Sequence, residues 1–187
     1  MKKSLLLLAL FFGLMACEDG GLIITVPASS SFDFTISRSV VNSDPDNVFS
    51  GSETVDITSF FNEDSEQIES IKLDRLVYEV SGYNNTSGNL VLMDLSIQTR
   101  LNGNTNDILV ITGLVVENTG QVIAFEDGNP SSALSAAQVA SLESIMDNVE
   151  PFELIVTADL TDDVDSNMNV AVSWDITASV SQPSDGG

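Results

Sequence analysis

Apolar and polar residues alternate along most of the chain after residue 30, and this alternation predicts β-strands. A period of two, as in residues 32–36, is typical of a strand with one buried face. The clearest pattern covers residues 168–180 and places Trp174 on the apolar side. We therefore predict that Trp174 lies in the core and does not form a sugar-binding platform. The same period recurs over residues 73–80, 91–98 and 152–160.

Three segments depart from simple alternation. Residues 108–116 are apolar on both faces, which predicts a central position in a sheet. Ser135 followed by Gln138 forms the capping-box pattern, and the apolar stripe behind it predicts an amphipathic helix over about 135–149. Residues 65–70 are predicted to form a short helical turn. Asn102 and Gly103 together are a strong signal for a hairpin turn.

These elements predict a mainly β protein with a single antiparallel β-sandwich of about seven to nine strands. The sandwich is expected to cover residues 31–181, followed by a polar tail at 182–187. Residues 17–30 are expected to form a tether, in which residues 22–26 could add a first edge strand that Pro27 limits. The pattern indicates no second domain and no internal repeat.

The first residues have the pattern of a secretory signal. Lys2 and Lys3 precede an apolar segment that is too short to span a bilayer, which takes about 20 apolar residues. The segment Leu14-Met15-Ala16-Cys17 resembles a lipobox, although Met15 is less typical there than a small residue. The resemblance implies a signal peptide at residues 1–16 and a diacylglyceryl group on Cys17. An ordinary signal peptide and a buried apolar helix are the alternatives.

A second resemblance is one of layout. Residues 57–83, in which a short helix leads into a strand, are similar to segments of small lipoproteins of Bacteroidota-type bacteria. That similarity implies an outer-membrane lipoprotein with a sandwich domain and no assigned activity. Cys17 is the chain's one cysteine, so it cannot form an intramolecular disulfide, and acylation gives this exported thiol a use. More than one acyl chain would give stable anchoring.

Charge excludes several functions. All 28 acidic residues follow Cys17, and loss of Lys2 and Lys3 with the leader leaves four basic residues, for a formal charge of −24. Nucleic-acid binding is excluded because it needs basic patches, and adhesion to anionic headgroups is disfavoured. The chain has no histidine, so zinc sites built from Cys and His and histidine-based nucleophile systems are also excluded. No catalytic residues and no bound cofactor are predicted.

The regular spacing of Asp and Asn residues just before the last predicted strand indicates one candidate metal site. Asp163, Asp165 and Asn167 recur at every second residue, as at the start of an EF-hand loop. The EF-hand positions that need Gly and Glu hold Met168 and Trp174, so only a looser Ca²⁺ loop is possible. A solvated acidic turn is the simpler interpretation.

Other polar clusters are explained by turn formation or local charge balance and do not require a ligand. A second oxygen-rich loop contains Asn42, Asp44, Asp46 and Asn47. Residues 126–130 are typical turn residues. Two of the four mature cations lie close together with an acid, which local charge balance explains; this group is Lys72, Asp74 and Arg75.

The sequence therefore favours a membrane-anchored, non-enzymatic lipoprotein. We expect it at the outer membrane, on the cell surface or the periplasmic face, as a binding or structural accessory module of an outer-membrane protein complex. One alternative is a glycan-binding accessory lipoprotein, which would need exposed aromatic side chains. Another is a calcium-stabilised, adhesion-type module.

Overall fold

The computed structural model describes residues 22–36, 47–61, 67–164 and 166–182. Eight strands and two helices follow one another along these segments. The helices are α1 (Thr58–Phe61) and α2 (Ala136–Asp147). The strands are β1 (Leu22–Ile36), β2 (Val48–Val55), β3 (Ile68–Ser81), β4 (Leu92–Leu101), β5 (Asn104–Val115), β6 (Gly120–Glu126), β7 (Phe152–Leu160) and β8 (Met168–Gln182).

The strands form two antiparallel sheets of four strands each. Sheet 1 has the order β1-β8-β3-β6, and sheet 2 has the order β2-β7-β4-β5. Successive strands therefore cross between the sheets, except for the β4–β5 hairpin, and the first and last strands are neighbours. This is the order of an eight-stranded jelly roll. The prediction of a mainly β sandwich with seven to nine strands is confirmed.

Packing of the two inner faces accounts for the core. On β8 every second side chain from Met168 to Val180 is buried, and Trp174 is 7% exposed, so its predicted position in the core is confirmed. The β4–β5 hairpin closes through Asn102 and Gly103, both with positive φ. That geometry is a type I′ turn, which agrees with the Asn-Gly signal.

Helix α2 closes one open side of the sandwich. Its capping box is formed as predicted, since the Ser135 side chain accepts from the Gln138 N–H and the Gln138 side chain accepts from the Ser135 N–H. The helix packs on β3 and β5 through Leu142, Ile145 and Met146. Strand β6 pairs with β3 only from Arg75 onward, so α2 covers the part of β3 that β6 leaves unpaired.

Two carboxylates of α2 bind this uncovered part of β3. Asp147 Oδ1 accepts from the backbone N–H of Ile71 at 2.6 Å, and Glu143 Oε1 accepts from the N–H of Leu73 at 2.9 Å. These acceptors take the place of the carbonyl groups that another strand would supply. The helix thus protects a free strand edge from pairing with another chain.

Three expectations need correction. Strand β1 occupies residues 22–36, so the possible edge strand at residues 22–26 is present, but it continues through residues 27–30, which are not a tether. Pro27 is tolerated because β1 is an edge strand, where one side needs no N–H donor. Residues 68–70 belong to β3 and are not helical, because they pair with β8; residues 62–66 lie outside the described residues. Strand β5 lies at an edge of sheet 2 and is not central.

The two ends of the sandwich differ. Leu22 at the start of β1 pairs with Gln182 at the end of β8, so both terminal strands meet at one end, here called the terminal end. The loops 82–91, 116–119 and 161–167 lie at the opposite end, here called the loop end. Fifteen residues of β1 separate the two ends by about 50 Å.

Candidate functional site

Two of the residue groups singled out from the sequence fall largely outside the described residues. Cys17 is one of them, and the segment with Asn42, Asp44 and Asp46 is the other. Asn47 is described and has a positive φ of 52°. Its carbonyl accepts from the Leu160 N–H at 3.0 Å, so it serves the start of the β2–β7 ladder.

The candidate calcium loop lies between β7 and β8 at the loop end. Asp163 is exposed and donates its N–H to Asp162 Oδ1 at 2.8 Å; Asn167 is also exposed, and Asp165 lies outside the described residues. Within the described ranges, no group of three or more His, Cys, Asp or Glu side chains is placed to hold a metal ion. Calcium binding by Asp163, Asp165 and Asn167 stays a prediction.

The cation cluster on β3 forms a local ion pair. Lys72 Nζ donates to Asp127 Oδ2 at 2.6 Å. This hydrogen bond raises the pKa of Lys72 above its ordinary value and lowers the pKa of Asp127 below its ordinary value. Asp74 accepts from the Thr177 hydroxyl. Arg75 lies between two acids in the sheet register, Glu126 and Asp175. Charge balance therefore explains Lys72 through its pair with Asp127, whereas the Nε of Arg75 is buried without a hydrogen-bond partner among the described residues.

Aromatic side chains are unavailable for stacking on a ligand in the described part of the chain. Trp174, Tyr78 and Tyr83 are each less than 9% exposed. Each described Phe is buried or half-buried. An apolar cavity of about 20 Å³ beneath α2 is large enough for about one water molecule, too small for an organic ligand. A glycan platform and a deep ligand pocket both lack support here.

The outer face of sheet 2 carries a pair of carboxylates that the sequence did not indicate. Asp94 on β4 and Asp159 on β7 are direct cross-strand partners, and both are exposed. Asp94 Oδ1 accepts from the Gly113 N–H at 2.7 Å. The two ion pairs between described residues are Lys72–Asp127 and Arg100–Glu153, so neither neutralises this pair. Like charges directly opposite each other destabilise a sheet.

Exposed aliphatic side chains surround the two carboxylates. Val48 is the cross-strand partner of Asp159, and Val115 is the partner of Leu92, which is half-buried. Three of the six large hydrophobic side chains that are exposed among the described residues lie on this face by register: Val48 at 39%, Val110 at 54% and Val115 at 41%. These three, with Leu92, Asp94 and Asp159, are called the sheet 2 patch.

A bulge in β5 shapes this patch. Gly113 has a positive φ of 67°, and the register of β4 and β5 shifts between Met93 and Leu95. Asp94 binds the N–H that the bulge frees, which fixes its carboxylate on the outer face. Bulges also turn an edge strand away from direct pairing with another strand.

Sequence reasoning missed the patch because Asp94 and Asp159 are far apart along the chain. Only the β4–β7 register brings them together. One signal is present in the sequence: residues 108–116 are apolar on both faces, a pattern that predicts burial. In the structure the outward-facing members, Val110 and Val115, are exposed.

No family model and no curated protein matches the chain. Among solved structures, the chain is similar to a decameric BFDV capsid protein, with 7% identity, a TM-score of 0.41, and coverage of 83% of this chain and 99% of that one. It is also similar to Desmodium yellow mottle tymovirus, with 10% identity, a TM-score of 0.34, and coverage of 100% and 99%. The jelly-roll assignment rests on the strand order.

No helix in the described ranges is long and apolar enough to cross a membrane.

Proposed function

We propose that this protein is a lipid-anchored, non-enzymatic binding module of the outer membrane, and that Cys17 carries the lipid. The observation that supports this most directly is the separation between the terminal end and the sheet 2 patch. The chain enters the sandwich at Leu22, and the patch lies towards the loop end. An anchor at one end would leave the patch free to bind a partner in an outer-membrane complex.

The short distance along the chain between Cys17 and Leu22 supports this orientation. Five residues can span at most about 17 Å when extended. A lipid on Cys17 would therefore hold the terminal end close to the bilayer. The loop end would then stand about 50 Å farther out, at the other end of β1. The high negative charge disfavours any closer contact with anionic headgroups.

The non-enzymatic part of the proposal rests on chemistry. The chain has no histidine, and its one cysteine is assigned to the anchor. The cavity beneath α2 is apolar and too small for a substrate. The glycan-binding alternative is weaker because the described aromatic side chains are buried or half-buried.

Labelling with radioactive palmitate in a bacterial host tests the anchor. We expect the wild-type chain to incorporate the label and to fractionate with the outer membrane. Cys17→Ser should abolish both, because the chain has no second thiol. Met15→Ala is the matched control, since it changes the leader next to the cleavage site and keeps Cys17; it should label normally. Label retained in Cys17→Ser would refute the proposal.

A further inference from the structure

We propose that the sheet 2 patch binds a protein partner whose contact surface carries Lys or Arg side chains among aliphatic ones. The inference rests on the proposed function, because it names the kind of partner that the anchored module would bind. It is carried by two independent features of the patch: the uncompensated carboxylate pair and the exposed aliphatic side chains.

The carboxylate pair would be neutralised by a positively charged side chain. Asp94 and Asp159 are direct cross-strand partners, and the ion pairs of the described residues lie elsewhere on the surface. A Lys or Arg side chain from a partner, placed between them, would convert a repulsive pair into an attractive triad. The N–H of Gly113 holds the Asp94 carboxylate in place for this contact.

The exposed aliphatic side chains would be buried by apolar side chains that surround the partner's cation. Val110 is 54% exposed, and Val115, at 41% exposure, lies beside Leu92. A partner that covers them would gain hydrophobic burial and would also shield the charged contact from water. A purely basic partner would leave these side chains exposed.

Charge decides between the possible occupants. A second copy of the chain would bring another pair of carboxylates to the patch, and both copies carry a large negative charge. Anionic headgroups would be repelled in the same way, and the patch lies towards the end opposite the proposed anchor. A basic, aliphatic protein surface is the occupant that matches both features.

Three short synthetic peptides of equal length provide the test. One alternates Leu and Lys, one alternates Ser and Lys, and one alternates Leu and Glu. Each is added to the full chain in neutral detergent, and backbone-amide chemical shifts are recorded. We expect the Leu–Lys peptide to bind most tightly and to shift amides of β4, β5 and the loop-end part of β7. The Leu–Glu peptide should not bind.

Paired variants locate the contact. Asp159→Asn and Val110→Ser should each weaken binding of the Leu–Lys peptide by about tenfold, which corresponds to about 1.4 kcal/mol. The controls are Asp162→Asn, an exposed acid in the β7–β8 loop, and Ile123→Ser, an exposed aliphatic residue on sheet 1. Both controls should bind as the wild type does. Asp159→Asn should also raise the melting temperature, because it removes the repulsion with Asp94.

Several results would overturn the inference. Equal binding of the Ser–Lys peptide would show bulk electrostatic attraction, and equal losses in the control variants would place the contact elsewhere. A concentration-dependent dimer that Val110→Ser disrupts would make the patch an interface between copies of this chain. Palmitate labelling of Cys17 is measured separately. Failure of peptide binding with normal labelling would therefore refute this inference alone and leave the anchor intact.

Discussion

The contact between α2 and the free edge of β3 makes a sharp stability prediction. Replacing Glu143 or Asp147 by Ala removes the acceptor for a backbone N–H of β3, at Leu73 or Ile71 respectively. Both Leu73 and Ile71 are buried residues, with 1% and 3% exposure. An unsatisfied buried N–H costs about 1–3 kcal/mol, and we expect each variant to lose stability in that range.

The direction of the stability change distinguishes the loss of this contact from effects on the helix itself. Ala is the best helix former, so Glu143→Ala should slightly favour α2 itself. Asp147 is the last residue of α2, where a negative charge opposes the helix dipole, so its removal alone would stabilise by about 0.3–1 kcal/mol. A loss of stability in Asp147→Ala therefore requires that the bond to Ile71 outweighs the dipole.

Urea denaturation followed by circular dichroism gives the free energies of unfolding. The matched controls are Glu143→Gln and Asp147→Asn, which keep an oxygen acceptor and remove the charge; we expect them to lose much less. Hydrogen exchange should show faster exchange at the amides of Ile71 and Leu73 in the Ala variants. If the Ala variants are as stable as the amide variants, and those two amides remain protected, then the carboxylates do not serve as edge acceptors.

Three further predictions concern the core. Thr99→Val should leave the free energy of unfolding in urea unchanged or raise it by up to about 1 kcal/mol, because the Thr99 hydroxyl is buried without a hydrogen-bond partner in the described part of the chain. A clear loss of stability would show that this hydroxyl does make a hydrogen bond. Gly51→Ala should lower the free energy of unfolding by about 1–3 kcal/mol, because its new Cβ would lie 2.8 Å from Phe34 Cβ. Ser52→Ala is the control, and an unchanged unfolding midpoint for Gly51→Ala would contradict the close packing. Burial raises the pKa of Tyr78, so this phenol ionises first in the unfolded chain, and stability should fall as pH rises above about 10. In thermal melts, Tyr78→Phe should remove that part of the decline. An identical decline in the variant would show that Tyr78 does not cause it.

Much of the sandwich could be predicted from period-two patterns, because burial on one face leaves a direct record in the residue types. Strand β8 and the core position of Trp174 are examples. The α2 capping box could be predicted because it depends on residues three apart, Ser135 and Gln138. The jelly-roll order could not, since it depends on which strands pair across the sheets.

The errors have physical causes. Residues 68–70 have polar neighbours that suit a helical start, but pairing with β8 determines their conformation. Residues 27–30 resemble a polar tether because Pro27 and two Ser follow the apolar segment 22–26, but pairing with β8 continues β1 through them. The pairing of Asp94 with Asp159 could not be predicted, because alternation places each residue on an outer face but does not show that β4 and β7 are neighbours or in which register they pair.

The neighbouring positions of β1 and β8 have a consequence for folding. The first strand finds its one partner in the last strand, over all 15 residue pairs. Sheet 1 therefore cannot be completed until the C-terminal residues are available, and contacts so distant along the chain form slowly. A nascent chain that ends before β8 has no stable place for β1. This late closure would delay formation of the complete sandwich until the whole chain has been synthesised.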